Sequence, residues 1–188
     1  MSVVLVKNYS KPPVNKKEIL RYAGCSQIND EISALLDECI ADAAESLSYK
    51  VCYAIFDKRS KSYSAALDNN LQGCSRVVLF AATIGLPLDR LIMKYSRVSP
   101  SKALLLQAFG AERIESLCDV FCNDIKSELG VELKPRFSPG YGDLPIEIQR
   151  DIFRVLDCPR KIGLTLNESL LMSPTKSVTA IVGIKDEY

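Results

Sequence analysis

The chain has 188 residues, 47% hydrophobic and 25% charged, which excludes a disordered chain and suits one domain burying roughly 70% of its unfolded surface. Lys and Arg number 24 against 23 Asp and Glu, and the resulting charge of +1 argues against a dedicated nucleic-acid binder. No histidine is present, so Ser–His–Asp or Cys–His catalysis, a histidine base and a mixed Cys/His zinc site are excluded.

Residues 2–6 read as a short strand, followed by a polar, proline-bearing connection from Lys7 to Val14. Asn15 and Glu18 have capping-box spacing, so a helix starts there and stops at Gly24. A second helix runs from Asn29 to Ser48, with Ile32, Leu35, Leu36, Cys39, Ile40, Ala43 and Leu47 on one face. Val51–Phe56 and Arg76–Ile84 read as strands. Between them lies a polar segment, with a hairpin and a turn at Asp68-Asn69-Asn70. Gly85 and Pro87 end the second of these strands, and a short helix covers Leu88–Tyr95.

Ser99-Pro100 opens the longest helix, from Pro100 to Leu129, which Gly130 closes and Gly110 interrupts. Its apolar stripe is Leu104, Ala108, Ala111, Ile114, Leu117, Cys118, Phe121 and Ile125. Val131–Phe137 reads as a strand, and 138–145 as a dense turn. Pro145 opens a helix to Leu156, with Ile148, Ile152, Phe153 and Leu156 inward. Ile162–Leu166 reads as a strand, Asn167–Leu171 as a helical turn and Ser177–Ile184 as a terminal strand. The pattern predicts an α+β fold with a central antiparallel or mixed sheet and flanking helices, covered on one side. Residues 1–188 form one domain, with no linker or internal repeat to divide it.

Seven cysteines, an odd number, with no CxxC pair and no signal peptide, point to reduced thiols in the cytoplasm. Cys118 and Cys122 share a helix face, where they read as small apolar fillers rather than a metal or redox pair. No apolar segment approaches the ~18 residues needed to span a bilayer. Tyr49, Tyr53, Tyr63 and Tyr95 read as amphipathic core edges. Lys16-Lys17 and Lys58-Arg59-Lys61 read as solvated basic faces, with steering of an acidic partner as the second reading.

The segment 136–145, RFSPGYGDLP, stands apart. Pro139 presets φ, while Gly140 and Gly142 allow a positive φ or close approach of a ligand. Arg136 offers a permanent planar cation suited to a carboxylate, and Tyr141 offers a ring face and a hydroxyl. Together they suit a small molecule with a carboxylate, an amine and a flat ring system. The rival reading is a tight turn whose arginine pairs with a surface acid. Asp143 either orients Arg136, approaches the ligand, or caps the helix after Pro145. Glu168 is either a ligand contact or a local cap.

Arg136-Phe137-Ser138-Pro139-Gly140-Tyr141, then Pro145, then Leu164 to Pro174 and Ser177-Val178 together resemble the activation domain of cobalamin-dependent methionine synthase. That domain carries an R-x-x-P-G-Y turn, a proline four residues later, and a T-E-S-x-x-M-x-P…S-V block. Order and spacing agree over residues 136–184, and weaker agreement reaches back through Ala111–Asp119. Residues 100–184 are thus the motif-rich part, while the first hundred residues are closer to the small free-standing members.

The resemblance implies a helmet-shaped α+β domain that binds S-adenosylmethionine on the inner sheet surface and docks over a cobalamin-binding partner. There it would support reductive remethylation of cob(II)alamin, with a flavodoxin-like electron donor. Cobalamin would come with the partner, a methionine synthase or another corrinoid protein, because this chain has no D-x-H-x-x-G motif. Nucleic acid and membrane are not implied.

Carried over motif by motif, Arg136 would bind the methionine carboxylate. The backbone of Ser138 and Gly140, beside Pro139, would line the adenosine side, and Tyr141 would pack on the ligand. Glu115 would contact its ammonium or sulfonium end. No residue of this chain is implied as catalytic and none as a metal ligand: a sulfonium is already an activated methyl donor, so positioning and charge complementarity suffice.

Gly142-Asp143-Leu144 and Glu147 depart from the full-length pattern, which has a cysteine in that turn and a histidine at the latter position. Tyr188 precedes a tyrosine-bearing segment of the full-length domain. These departures leave a second expectation, a non-catalytic interaction module for a corrinoid methyltransferase that has lost the methyl-donor site. A third is an unrelated α+β protein whose turn is only structural.

Overall fold

The computed structural model of the chain describes residues 3–25, 29–58, 62 and 64–186. Ser2, Arg59, Lys61, Tyr63 and Tyr188, which figure in the sequence reading, lie outside them. Segments rich in Val, Ile, Tyr and Phe form the sheet, since branched and aromatic side chains pack well on a pleated surface. Its strands are β1 (Leu5–Tyr9), β2 (Tyr49–Asp57), β3 (Cys74–Thr83) and β6 (Ser177–Lys185). They lie in the order β1-β2-β3-β6, and each neighbouring pair is antiparallel.

Successive strand residues point to opposite faces. On one face Val51, Tyr53, Val78, Phe80, Ala82, Ala180 and Val182 meet a layer of helices. These are α1 (Lys16–Tyr22), α2 (Asp30–Ala44), α4 (Pro87–Val98) and α5 (Pro100–Leu129). Phe121 of α5 sits against Phe80 and Tyr53, with ring centroids 4.8 and 5.2 Å away. On the other face Cys52, Ala54 and Ala81 meet α6 (Ile148–Leu156) and α7 (Cys158–Ile162). The expectation of a sheet covered on one side is therefore corrected. The stripe Ile152, Phe153 and Leu156, with Cys158, Ile162 and Leu164, buries itself on the second face.

Long-range contacts explain the other departures from the sequence reading. β1 begins three residues later than expected and takes in Lys7 and Tyr9, because α5 supplies them with a partner. The Lys7 ammonium and the Tyr9 hydroxyl each donate to Asp124 at 2.7 Å. The hairpin and turn expected before Gly73 give way to α3 (Ala65–Asn70), on which Asp68-Asn69-Asn70 forms the last turn. Ser64 caps this helix through the Leu67 amide, and Leu67 and Leu71 bury against Leu144.

Val131–Phe137 is no strand. It touches β6 only at Leu133↔Ile184 and Phe137↔Ile181, because Pro135 has no N–H to continue a ladder. Gly110 does not interrupt α5. A Cβ there would lie 2.5 Å from Leu88 Cδ2, so the glycine serves close packing against α4. Leu104, expected on the buried stripe, is exposed, and its neighbours Leu105 and Leu106 are buried instead.

α6 begins at Ile148, three residues after Pro145. Helix α7 takes the place of the start of the strand expected at 162–166, and Gly163 at φ +71° stops it. Only β4 (Thr165–Leu166) remains, paired with β5 (Met172–Ser173). Asn167–Leu171 is the loop of that hairpin, closed by Leu171 N–H on the Asn167 side chain at 2.9 Å.

Candidate functional site

The irregular segment after α5 runs beside β6 and then turns sharply under α6. Phe137 fastens it, exchanging two backbone hydrogen bonds with Ile181 at 2.9 and 2.8 Å. The turn closes through Tyr141 N–H to Ser138 O, Leu144 N–H to Tyr141 O and Gly140 N–H to Leu144 O. Gly140 at φ +90° and Gly142 at φ +55° hold conformations that side chains rarely adopt. At Gly142 a Cβ would lie 2.8 Å from Ala66 Cβ, so this glycine also lets the turn touch α3.

Between this turn, α6 and the start of β6 lies a cavity of about 410 Å³. Arg136, Phe137, Ser138, Pro139 and Tyr141 line it from the turn, and Glu115 from α5. Gln149 lines it from α6, Met172 from β5, and Ser177, Val178 and Thr179 from β6. Five of the six residues singled out from the sequence, Arg136, Ser138, Pro139, Tyr141 and Glu115, thus meet around one space. Gly140 does not: it is exposed and its amide is taken by the turn. Tyr141 is 68% exposed, with its ring at the rim.

Arg136 is paired within the chain. Its guanidinium donates to Glu115 at 2.7 Å and to Asp119 at 2.5 Å, both one helical turn apart on α5. Burial works against this cation, yet the hydrogen bond to Asp119 and the nearby negative charges hold its pKa above the ordinary arginine value. Burial also pushes the thiols of Cys118 and Cys122 up, against the pull of Arg136. Both therefore stay protonated. Among the described residues no group of three metal-ligating side chains comes together.

Asp143 takes none of its expected positions. It binds the start of α3, hydrogen-bonded to the Ser64 hydroxyl and to the amides of Ala65 and Ala66 at 2.8 and 3.1 Å. The Ser64 bond, then the two amides, hold its carboxyl below the usual range. Glu168 offers its backbone carbonyl, not its side chain, to Arg150 at 2.8 Å.

Two residues of the cavity escaped the sequence reading. Gln149 is 6% and Thr179 2% exposed, yet Gln149 Oε1 and Thr179 Oγ1 have no hydrogen-bond partner. Such groups cost free energy unless something pairs with them. A signal existed for Gln149: it precedes Ile152, Phe153 and Leu156 at i+3, i+4 and i+7, a polar residue on an apolar stripe. Thr179 gave none, since threonine is common in strands.

No protein-family model matches the chain, and no curated protein matches its sequence. In structure it is similar to the crystal structure of the MetH reactivation domain bound to AdoHcy, with a TM-score of 0.69 and 13% identity. The match covers 99% of this chain and 80% of that one. The fold is that of a methionine synthase reactivation domain, an α+β architecture around an antiparallel sheet. The resemblance carried by the RFSPGY turn and the later N-E-S block is met at the level of fold.

No described helix is long and apolar enough to cross a membrane.

Proposed function

We infer that this chain binds S-adenosylmethionine in the cavity beside the RFSPGY turn. In doing so it supports reductive remethylation of cobalamin on a separate methionine synthase. The observation that carries this reading is the cavity itself, lined by the Arg136–Glu115 pair together with Ser138, Pro139 and Tyr141 of the turn. Its volume of about 410 Å³ falls in the range of small-molecule sites. The matched reactivation domain was crystallised with AdoHcy, which shares the amino-acid and adenosine parts of the methyl donor.

The charges suit that ligand. A cation and a carboxylate 2.7 Å apart can each exchange the other for the opposite charge of an α-amino acid zwitterion. Arg136 then holds the carboxylate and Glu115 the ammonium. Asp119 keeps the guanidinium fork oriented. Ser138 and Pro139 wall the adenosine side, and Tyr141 closes the rim over the ligand. The ligand supplies an activated methyl group and the partner's reduced cobalamin the nucleophile. This chain supplies position and exclusion of water, a task that needs no histidine. The partner, a cobalamin-binding methionine synthase or another corrinoid protein, and its flavodoxin-like reductant meet the open rim.

Calorimetric titration with S-adenosylmethionine tests the reading. Wild type is expected to bind in the micromolar range, and Arg136→Ala to lose binding. Binding that survives Arg136→Ala keeps the ligand and removes it from this cavity. No binding by the wild type, alone or with a cobalamin-loaded partner, leaves an interaction module that has lost the donor site.

A further inference from the structure

Cys52 and Cys158 do not line the cavity described above and take no part in the chemistry proposed for it. Cys52 stands on β2 and Cys158 at the first position of α7, 106 positions later in the chain. Both are fully buried on the second face of the sheet, and their sulfurs are 3.9 Å apart. Cys39, by contrast, turns its thiol to the Lys102 carbonyl, and burial pushes the thiols of Cys74 and Cys118 up. Contact with Cys158 holds the Cys52 pKa below the ordinary thiol value in spite of burial. It favours the thiolate, the form that attacks a disulfide.

The cover over the pair is thin. Helix α7 has five residues, and its outer side, Pro159, Arg160 and Lys161, is exposed. It is bounded by Asp157 at φ +52° and Gly163 at φ +71°. For Asp157 the left-handed conformation carries a cost that glycine escapes. A single turn joined through such a residue opens more readily than the sheet beneath it.

We propose that Cys52 and Cys158 form a thiol-oxidation site, which a low-molecular-weight disulfide converts into a bond fastening α7 to β2. Opening of α7 admits the reagent. The Cys52 thiolate attacks one sulfur of the reagent, leaving a mixed disulfide and releasing one thiolate. Cys158 loses its proton, attacks the Cys52 sulfur and releases the second. Two protein S–H bonds give way to one S–S bond. The two electrons reduce the reagent to two thiols, which carry the two protons away. A bond of about 2.05 Å requires the sulfurs to approach by roughly 2 Å, a movement the α7 turn supplies as it recloses. The reaction needs no ligand, so its outcome is independent of the methyl-donor reading.

The test uses the full chain carrying Cys25→Ser and Cys122→Ser, which removes the two less buried thiols. It is incubated folded with glutathione disulfide, blocked with iodoacetamide and mapped by mass spectrometry without reduction. The expected result is a Cys52–Cys158 cross-linked peptide and the loss of two thiols. The melting temperature should rise by about 5 °C or more, because so long a loop constrains the unfolded chain. Dithiothreitol should reverse all three changes. Cys158→Ala and Cys52→Ala should each abolish the cross-link and the rise in melting temperature.

A folded protein that forms no cross-link within the hours such exchange takes overturns the proposal, and the pair is then a sealed core contact. So does a glutathione adduct that persists on one cysteine, or a bridge to a different cysteine. A linked protein that melts no higher than the reduced one overturns the fastening of α7.

Discussion

The two faces of the four-stranded sheet use the same strands and reach opposite ends. On the face under α5, the sheet buries an apolar layer, from Val51 and Phe80 to Phe121 and Leu117, with the Tyr49 hydroxyl as its unpaired polar atom. On the face under α6, the apolar patch from Cys52 to Leu164 gives way to Ser177, Thr179 and Gln149 beside an open cavity. The first face is closed by packing, and the second carries two buried polar side chains with unpaired oxygens among the residues that line a cavity. Unpaired polar groups cost free energy wherever they are buried, so the faces differ in composition and in openness.

The largest test of that contrast is on the closed face. Phe121→Ala removes the ring between Phe80 and Tyr53 and should cost about 3–5 kcal/mol in urea unfolding. The folded fraction should still bind ligand with wild-type affinity. A loss of affinity in the folded protein would break the separation of the faces.

A smaller effect is expected at the turn on the open face. Gly142→Ala places a side chain at φ +55° and 2.8 Å from Ala66, and should cost about 1–2 kcal/mol. It should also weaken ligand binding, because the turn carries Arg136 and Tyr141. Stability lost with binding untouched would show that the turn's path does not set the cavity.

The smallest effect is a pH dependence at Asp143. Its folded-state pKa is depressed, so its contribution to stability is present above the ordinary carboxylate range of about 4 and is lost as pH falls through the folded value. The stability gap between wild type and Asp143→Asn should therefore narrow on acidification, read from melts at stepped pH. A gap that does not change with pH would mean the carboxylate charge contributes nothing at the start of α3.

Much of the fold was legible in the sequence for local reasons. Asn15 caps α1 as its spacing predicts, accepting from Glu18 N–H at 3.3 Å. The other half of the predicted box is not local: Asn15 N–H donates to Glu112 of α5 at 3.1 Å, and Glu18 pairs with Arg21. The stretch Glu112-Arg113-Ile114-Glu115 shows the same limit. By helical period alone the three charged residues read alike. In the structure Arg113 is fully buried, bonded to Glu112 at 2.6 Å and to the carbonyls of Pro12 and Pro13 at 2.5 Å. Glu115, one turn on, faces the cavity. Helical periodicity places residues on a face but does not say which neighbour that face will meet.

The sequence by itself determined the α+β class, the long helix from Pro100 to Gly130 and the special backbone of the RFSPGY turn. It did so because caps, glycines, prolines and apolar periods act over a few residues. Only the tertiary structure decided that Asp143 serves a helix 79 positions away through Ser64, and that Arg136 pairs with Glu115 and Asp119. It also decided that Gln149 and Thr179 share one cavity without partners. The physical reason is that hydrogen-bond satisfaction and burial depend on which elements pack together, and that is a property of the whole chain.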